Sequence, residues 1–305
     1  MLARVPFIPR LDLERDARHS HVWTIVLTGD APPVPGRPHR ARSCHAAARW
    51  PLATGVPSRA QRMLERASRL APAGQIVTVL TRRQAAAWEP ELAALSGVRR
   101  LVQPTYRGRA AEVLLPLLKI ARQDPSATVV VLPADRQVDH DARFLRYVGR
   151  AVWAVALRPD LPILIGAHPS TPVTDGWIEP GAPVEGLEDL AVRAVECFVD
   201  DATPAERRRL FDGNALTSTS IFIGRAGMLL SLAERALPEV LEALEPLEDA
   251  SDRPEESLLC EAIYECMPRA SLAPLERAPE LAVLALPDTV WRAPGHEGLE
   301  QLLAS

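Results

Sequence analysis

The sequence predicts an α/β protein, a mixed and mainly parallel sheet with helices on both faces. Three observations lead there. Apolar, β-branched runs bounded by turn residues recur from residue 22 to residue 286, as strands buried on both faces do. Amphipathic stretches of helical length separate them, and that alternation builds right-handed βαβ units. At 305 residues, 47% hydrophobic and 24% charged, the chain can fill one large α/β core or two smaller ones.

The first strand is expected at 22–28 (VWTIVLT), followed by an irregular segment rich in Pro and Arg at 31–57. A helix at 58–70 leads to a strand at 75–81 (QIVTVLT), a helix at 83–95 and a strand at 98–102. The helix at 109–123 stops at Asp124-Pro125-Ser126, a breaker sequence. A strand at 128–133 (TVVVLP), a helix at 141–158 and a strand at 162–166 (PILIG) come next. Thr203-Pro204 opens a helix at 204–211, as proline at a first helical turn does. The remaining elements are a strand at 219–223 (TSIFI), one leucine-rich core helix at 226–244, an acidic, Pro-containing irregular segment at 245–256, a helix at 254–267, a strand at 281–286 (LAVLAL) and a closing helix at 297–304.

Composition excludes several function classes. No run of about 18 apolar residues exists, so no membrane-spanning helix is expected. The first twenty residues lack the apolar stretch of a secretory signal. Cys44, Cys197, Cys260 and Cys266 are scattered, form no CxxC pair and fit a reduced cytoplasmic protein. Residues 1–110 hold 18 Arg against 7 acidic residues, a surplus of 11, so the rest of a chain of net charge -4 carries -15. The aromatic residues of the basic part do not alternate with its arginines as a base-stacking platform would, so no nucleic-acid role is expected. Lys119 is the only lysine, and a mechanism needing two is excluded.

In parallel sheets ligands sit beyond the carboxyl ends of the strands. The strongest signal there is Leu132-Pro133-Ala134-Asp135. A carboxylate at that position faces the ligand crevice and suits Mg²⁺ on a nucleotide phosphate; its plainer reading is a cap for the helix near Asp141. Gln103-Pro104-Thr105-Tyr106-Arg107-Gly108-Arg109 leads into a helix whose N–H groups, with Arg107 and Arg109, suit an anion, although such loops also occur without a ligand. The segment after the first strand, GDAPPVPGRPHRARSCHAAAR, makes a poor phosphate cradle, because its prolines donate no N–H. Its His39, Cys44 and His45 lack a second cluster to complete a metal site. Ser218 and Ser220 lie in no nucleophile-elbow pattern.

Taken in order, several segments resemble one family, the sugar nucleotidyltransferases, and within it the bacterial mannose-1-phosphate guanylyltransferases. VWTIVLTG is similar to the family's first strand. QPTYRGRAAEVLLPLLKIARQDPSATVVVLPAD is similar to its RG-x-AA helix and P-[AS]-D-H strand end. ILIGAHPSTPVTDGWIEPG, ALTSTSIFIGRAGMLL and ERAPELAVLALPDTVWRAPG resemble three further motifs in the family's order. The resemblance runs from Val22 to the C-terminus, leaving 1–21 as an N-terminal extension and 22–305 as a nucleotidyltransferase-like domain. It implies a Rossmann-like fold and transfer of a nucleotidyl group from GTP to mannose 1-phosphate, giving GDP-mannose and pyrophosphate, with Mg²⁺, Lys and Arg neutralising charge.

The family's charged groups are largely replaced. Asp30 and prolines stand in place of the Gly-rich loop and its lysine, and Asp201 replaces the lysine that meets the sugar phosphate. Thr217-Ser218 replaces the W-N pair, Ala293 the second metal carboxylate and Arg136 the histidine after the first. Val173 stands where Glu is expected, and the tyrosine before Gly176 is missing. Asp135 remains, as catalytic and metal residue, with Arg107, Arg109, Gly176 and Glu179 as the substrate-binding residues of any remaining pocket. These replacements point to a catalytically impaired homologue, a pseudoenzyme that binds a protein partner, a nucleotide or a nucleotide sugar. The alternative is an active Mg²⁺-dependent enzyme with Arg in place of Lys. The oppositely charged halves also suit self-association.

Overall fold

Six consecutive buried residues make β1 (Val22–Leu27) a central strand. Its side chains alternate: Trp23, Ile25 and Leu27 enter one apolar layer, Val22 and Val26 the other. In this computed structural model, residues 21–29, 58–93, 96–171, 176–250, 254–287 and 291–292 are described.

The first half follows the βαβ pattern. After β1 come α1 (Arg59–Ser68), β2 (Ile76–Thr81), α2 (Arg82–Ala93), β3 (Arg99–Gln103), α3 (Arg109–Gln123) and β4 (Thr128–Pro133). The strands pair in parallel in the order β3-β2-β1-β4. A capping box starts α1: the Gln61 amide donates to Ser58 Oγ at 3.1 Å, and the Ser58 amide donates back to Gln61 Oε1 at 2.7 Å.

The second half contains β5 (Gln137–Val138), α4 (Asp141–Leu157), β6 (Ile163–Ala167), β7 (Trp177–Pro183), β8 (Val192–Val199), α5 (Pro204–Asp212) and β9 (Leu216–Arg225). It continues with α6 (Ala226–Ala236), α7 (Pro238–Leu244), α8 (Pro246–Asp249), α9 (Glu256–Cys266), α10 (Ala273–Glu276), β10 (Ala282–Leu286) and β11 (Trp291–Arg292). Strand β9 runs antiparallel to both β4 and β6 and carries the sheet onward as β9-β6-β10-β8-β7. Because β7 also pairs with β9, these five strands close into a ring. A separate ribbon joins β5 and β11.

Helices cover both faces, as predicted: α3, α6, α7 and α9 pack on one apolar layer, and α1, α2 and α4 on the other. The expectation of a mainly parallel, Rossmann-like sheet holds only for the first half. Beyond β4 the one parallel pair among the described residues is β6 with β10, and the other pairings are antiparallel. Two features are responsible: β9 runs back antiparallel between β4 and β6, and the β7–β8 hairpin, which the sequence reading missed, adds the remaining antiparallel pairings. Strand β8 is mostly exposed or half-buried, and Pro180 and Pro183 interrupt β7, so neither reads as an apolar run.

The single helix expected at 226–244 is two. Pro238 begins α7, and Leu237 before it leaves the helical region at φ -141°, ψ 47°, because proline crowds its predecessor out of that conformation. The segment expected to be irregular at 245–256 contains α8. The 31–57 segment, the 297–304 helix, Val173 and Ala293 lie outside the described residues.

Candidate functional site

The carboxyl end of β4 carries the best-formed polar cluster. The Ala134 amide donates to Leu27 O at 2.8 Å, tying the turn to the end of β1. Asp135 follows and is 3% exposed. Arg109 Nη2 donates to its Oδ2 at 3.1 Å, and Arg136 Nε lies 3.7 Å from its Oδ1. Burial opposes charging this carboxyl, but the Arg109 and Arg136 guanidinia and a backbone hydrogen bond hold it below the usual carboxylate range.

Arg109 reaches that point because of the residue before it. Gly108 sits at φ +97°, and a Cβ there would fall 2.1 Å from Ala270 O. Glycine alone lets the backbone press this closely, and the contact is pinned by the Ala110 amide on Ala270 O and the Ala270 amide on Arg107 O, both at 3.2 Å. The first residue of α3 is thereby aimed at Asp135.

The other predicted residues are placed differently. Arg107 points away from Asp135 and donates to Tyr264 O and, at 2.7 Å, to Glu265 O. It caps the last carbonyls of α9, which lack partners within their own helix. Glu179, on β7, accepts from Arg209 at 2.9 and 3.3 Å in an exposed ion pair with α5. Gly176 adopts φ +74°, and its carbonyl accepts the Ser218 amide at 2.6 Å. Asp201 is exposed in the turn before α5.

A second carboxylate that sequence reasoning missed is Glu276, at the end of α10. It is 8% exposed, and Ser218 Oγ and Ser220 Oγ donate to its Oε1 at 2.8 and 3.2 Å. Burial pushes its pKa up, and Asp200 adds to that, against the two hydroxyls and the charge of Arg109. Ser220 holds φ +55° beside a register shift between β6 and β9. Such a bulge re-aims a side chain, and here it serves the Ser218–Ser220–Glu276 contact. Arg109 thus links the two buried carboxylates electrostatically.

Beyond β1 and β2 lies a closed polar plug. Thr28 Oγ1 stands 2.8 Å from Val79 O and 3.0 Å from Gln84 Oε1, which also accepts the Thr81 amide at 2.8 Å. All three side chains are buried.

The described residues around Asp135 do not by themselves make a resident Mg²⁺ site. The ion asks for octahedral oxygen ligands, usually one or two carboxylates with water and substrate phosphate. Asp135 is the one carboxylate here among the described residues, its Oδ2 accepts from Arg109, and the Arg136 guanidinium lies 3.7 Å from its Oδ1. Among the described residues no three His, Cys, Asp or Glu side chains gather to hold a metal.

No protein-family profile and no curated sequence matches the chain. Solved structures do. A protein described as mannose-1-phosphate geranyltransferase from Thermus thermophilus superimposes with a TM-score of 0.76 at 24% identity, over 93% of this chain and 80% of that one. Mannose-6-phosphate isomerase from Helicobacter pylori gives 0.68 at 14% identity, over 89% and 99%. HddC from Yersinia pseudotuberculosis, complexed with GMP-PN, gives 0.50 at 9% identity, over 91% and 95%. At these identities the likeness establishes the fold, and the chain shares that of the two mannose-phosphate proteins.

Proposed function

We propose that the chain binds a nucleotide or nucleotide sugar by its phosphates at the carboxyl end of β4, as a catalytically impaired relative of the mannose-1-phosphate guanylyltransferases acting in binding or regulation. One observation carries the reading. The Asp135 side chain is 4% exposed, whereas those of Arg109 and Arg136 are 21% and 26% exposed. A ligand entering there meets two cations held in place by the carboxylate behind them, an arrangement suited to phosphate oxygens. Structural neighbours described as acting on mannose phosphates, and one complexed with GMP-PN, support the ligand class.

The second reading, an active Mg²⁺-dependent transferase using Arg in place of Lys, draws on Asp135 Oδ1, a buried atom without a hydrogen bond. Calorimetry with GTP and GDP-mannose, with Mg²⁺ or with EDTA, separates the two. Binding that persists in EDTA and weakens about tenfold in Arg136→Gln, without pyrophosphate release from GTP and mannose 1-phosphate, is the expected result. Pyrophosphate release that requires Mg²⁺ and vanishes in Asp135→Ala would establish the second reading. Absence of binding at millimolar concentration would end the first.

A further inference from the structure

A groove of about 620 Å³ opens at the other end of the parallel strands, where β1, β2 and β3 begin. Helix α3 lies over β1 and β2 on this face and stops short of closing over the outer strand β3. Helical spacing places Leu115, Lys119 and Arg122 in one row along the groove and Pro116, Ile120 and Gln123 in the next. Arg99 and Leu101 of β3 form the facing wall.

The charges here are unevenly matched. Lys119 is paired with Glu256, and Arg100 with Glu89 at 2.6 Å. Arg99 donates to the neutral Gln123 side chain, with its guanidinium carbon 4.9 Å from the Trp23 ring centre. Arg122 donates to the Glu248 carbonyl. Neither Arg99 nor Arg122 has a carboxylate partner among the described residues, and both are exposed. A small ion would leave the apolar wall wet, and a neutral hydrocarbon would strip water from the two guanidinia without replacing it.

We propose that this groove binds an amphipathic organic anion, its carboxylate or phosphate head held by Arg99 and Arg122 and its hydrocarbon body lying along Leu101 and the exposed Val102 of β3, over the buried floor that Leu115 and Ile120 form. The volume is that of an ordinary small-molecule site. The proposal is independent of the phosphate reading at Asp135, which concerns the opposite end of the sheet.

Calorimetry of the full chain with decanoate and with decyl phosphate tests it, with 1-decanol and inorganic phosphate as controls. The anionic amphiphiles should bind at concentrations where neither control does, and the stronger of the two names the head group. Substituting Arg99→Gln and Arg122→Gln together should weaken binding about tenfold or more. Arg235→Gln, on α6, should leave it unchanged. Should the double variant fail to fold, Arg122→Gln alone gives the same test, since that side chain is exposed and its hydrogen bond goes to a backbone carbonyl. Equal binding of 1-decanol, equal binding by the Gln variant, or no binding of either anion at millimolar concentration would overturn the proposal.

Discussion

A carboxylate removed from water is charged only if its neighbours offset the lost hydration, and the two buried acids of the candidate site do this to different degrees. Asp135 has two guanidinia and stays below the ordinary range; Glu276 has two hydroxyls and is pushed up by its burial. The pH dependences are therefore opposite. Asp135 contributes stability that is present above its unfolded pKa and lost as pH falls through the lower folded value. Glu276 is raised from 4.5, so its contribution is present below that value and is lost as pH rises toward the folded pKa. Glu276→Gln keeps an oxygen for Ser218 and Ser220 but cannot ionise. Urea midpoints at pH 5 and pH 8 should differ less in this variant than in the parent, and parallel profiles would show that Glu276 does not titrate within the fold. Asp135 was legible in the sequence from its place after a buried run. Glu276 was not, because the hydroxyls that define its role lie 58 and 56 positions away.

Among the elements, α3 does most to build the site, and its amino terminus depends on one backbone angle. Gly108→Ala would force a Cβ into Ala270 O from a positive-φ position, and the backbone must move to avoid it. The expected cost is about 1–3 kcal/mol for the conformation alone, with more from the clash. Arg109 would be displaced at the same time, so the variant should lose both denaturant stability and the nucleotide binding proposed for this site; a variant as stable as the parent would show that the contact at Ala270 gives way. The loop 103–109 was legible as an anion-binding candidate, but the roles of its two arginines were not. Sequence treated Arg107 and Arg109 alike, whereas the last carbonyls of α9 take one and leave the other facing Asp135. That separation rests on contacts more than a hundred residues apart.

At the scale of the whole molecule, the two halves of the sheet differ in how deeply they are held. Strands β1, β2 and β4 are buried along their full length, whereas β7 and β8 are largely half-buried or exposed. Regions with few buried apolar contacts open below the global unfolding free energy. Hydrogen exchange should accordingly show the Val192–Val199 amides opening locally while those of Val22–Leu27 exchange only on global unfolding; uniform protection would mean that the ring closed by β7 and β9 unfolds together with the parallel strands. The sequence by itself determined the βαβ order, the bounds of α3 and β4, both helix-covered faces and the place of Asp135, because buried runs and helical periodicity are local properties of the chain. Tertiary structure alone decided the antiparallel second half, the ring closure, the arginine clamp on Asp135, the Ser218–Ser220–Glu276 contact and the groove beside β3. Each of these depends on which distant residue supplies a partner for a polar or charged group, and no local pattern specifies that partner.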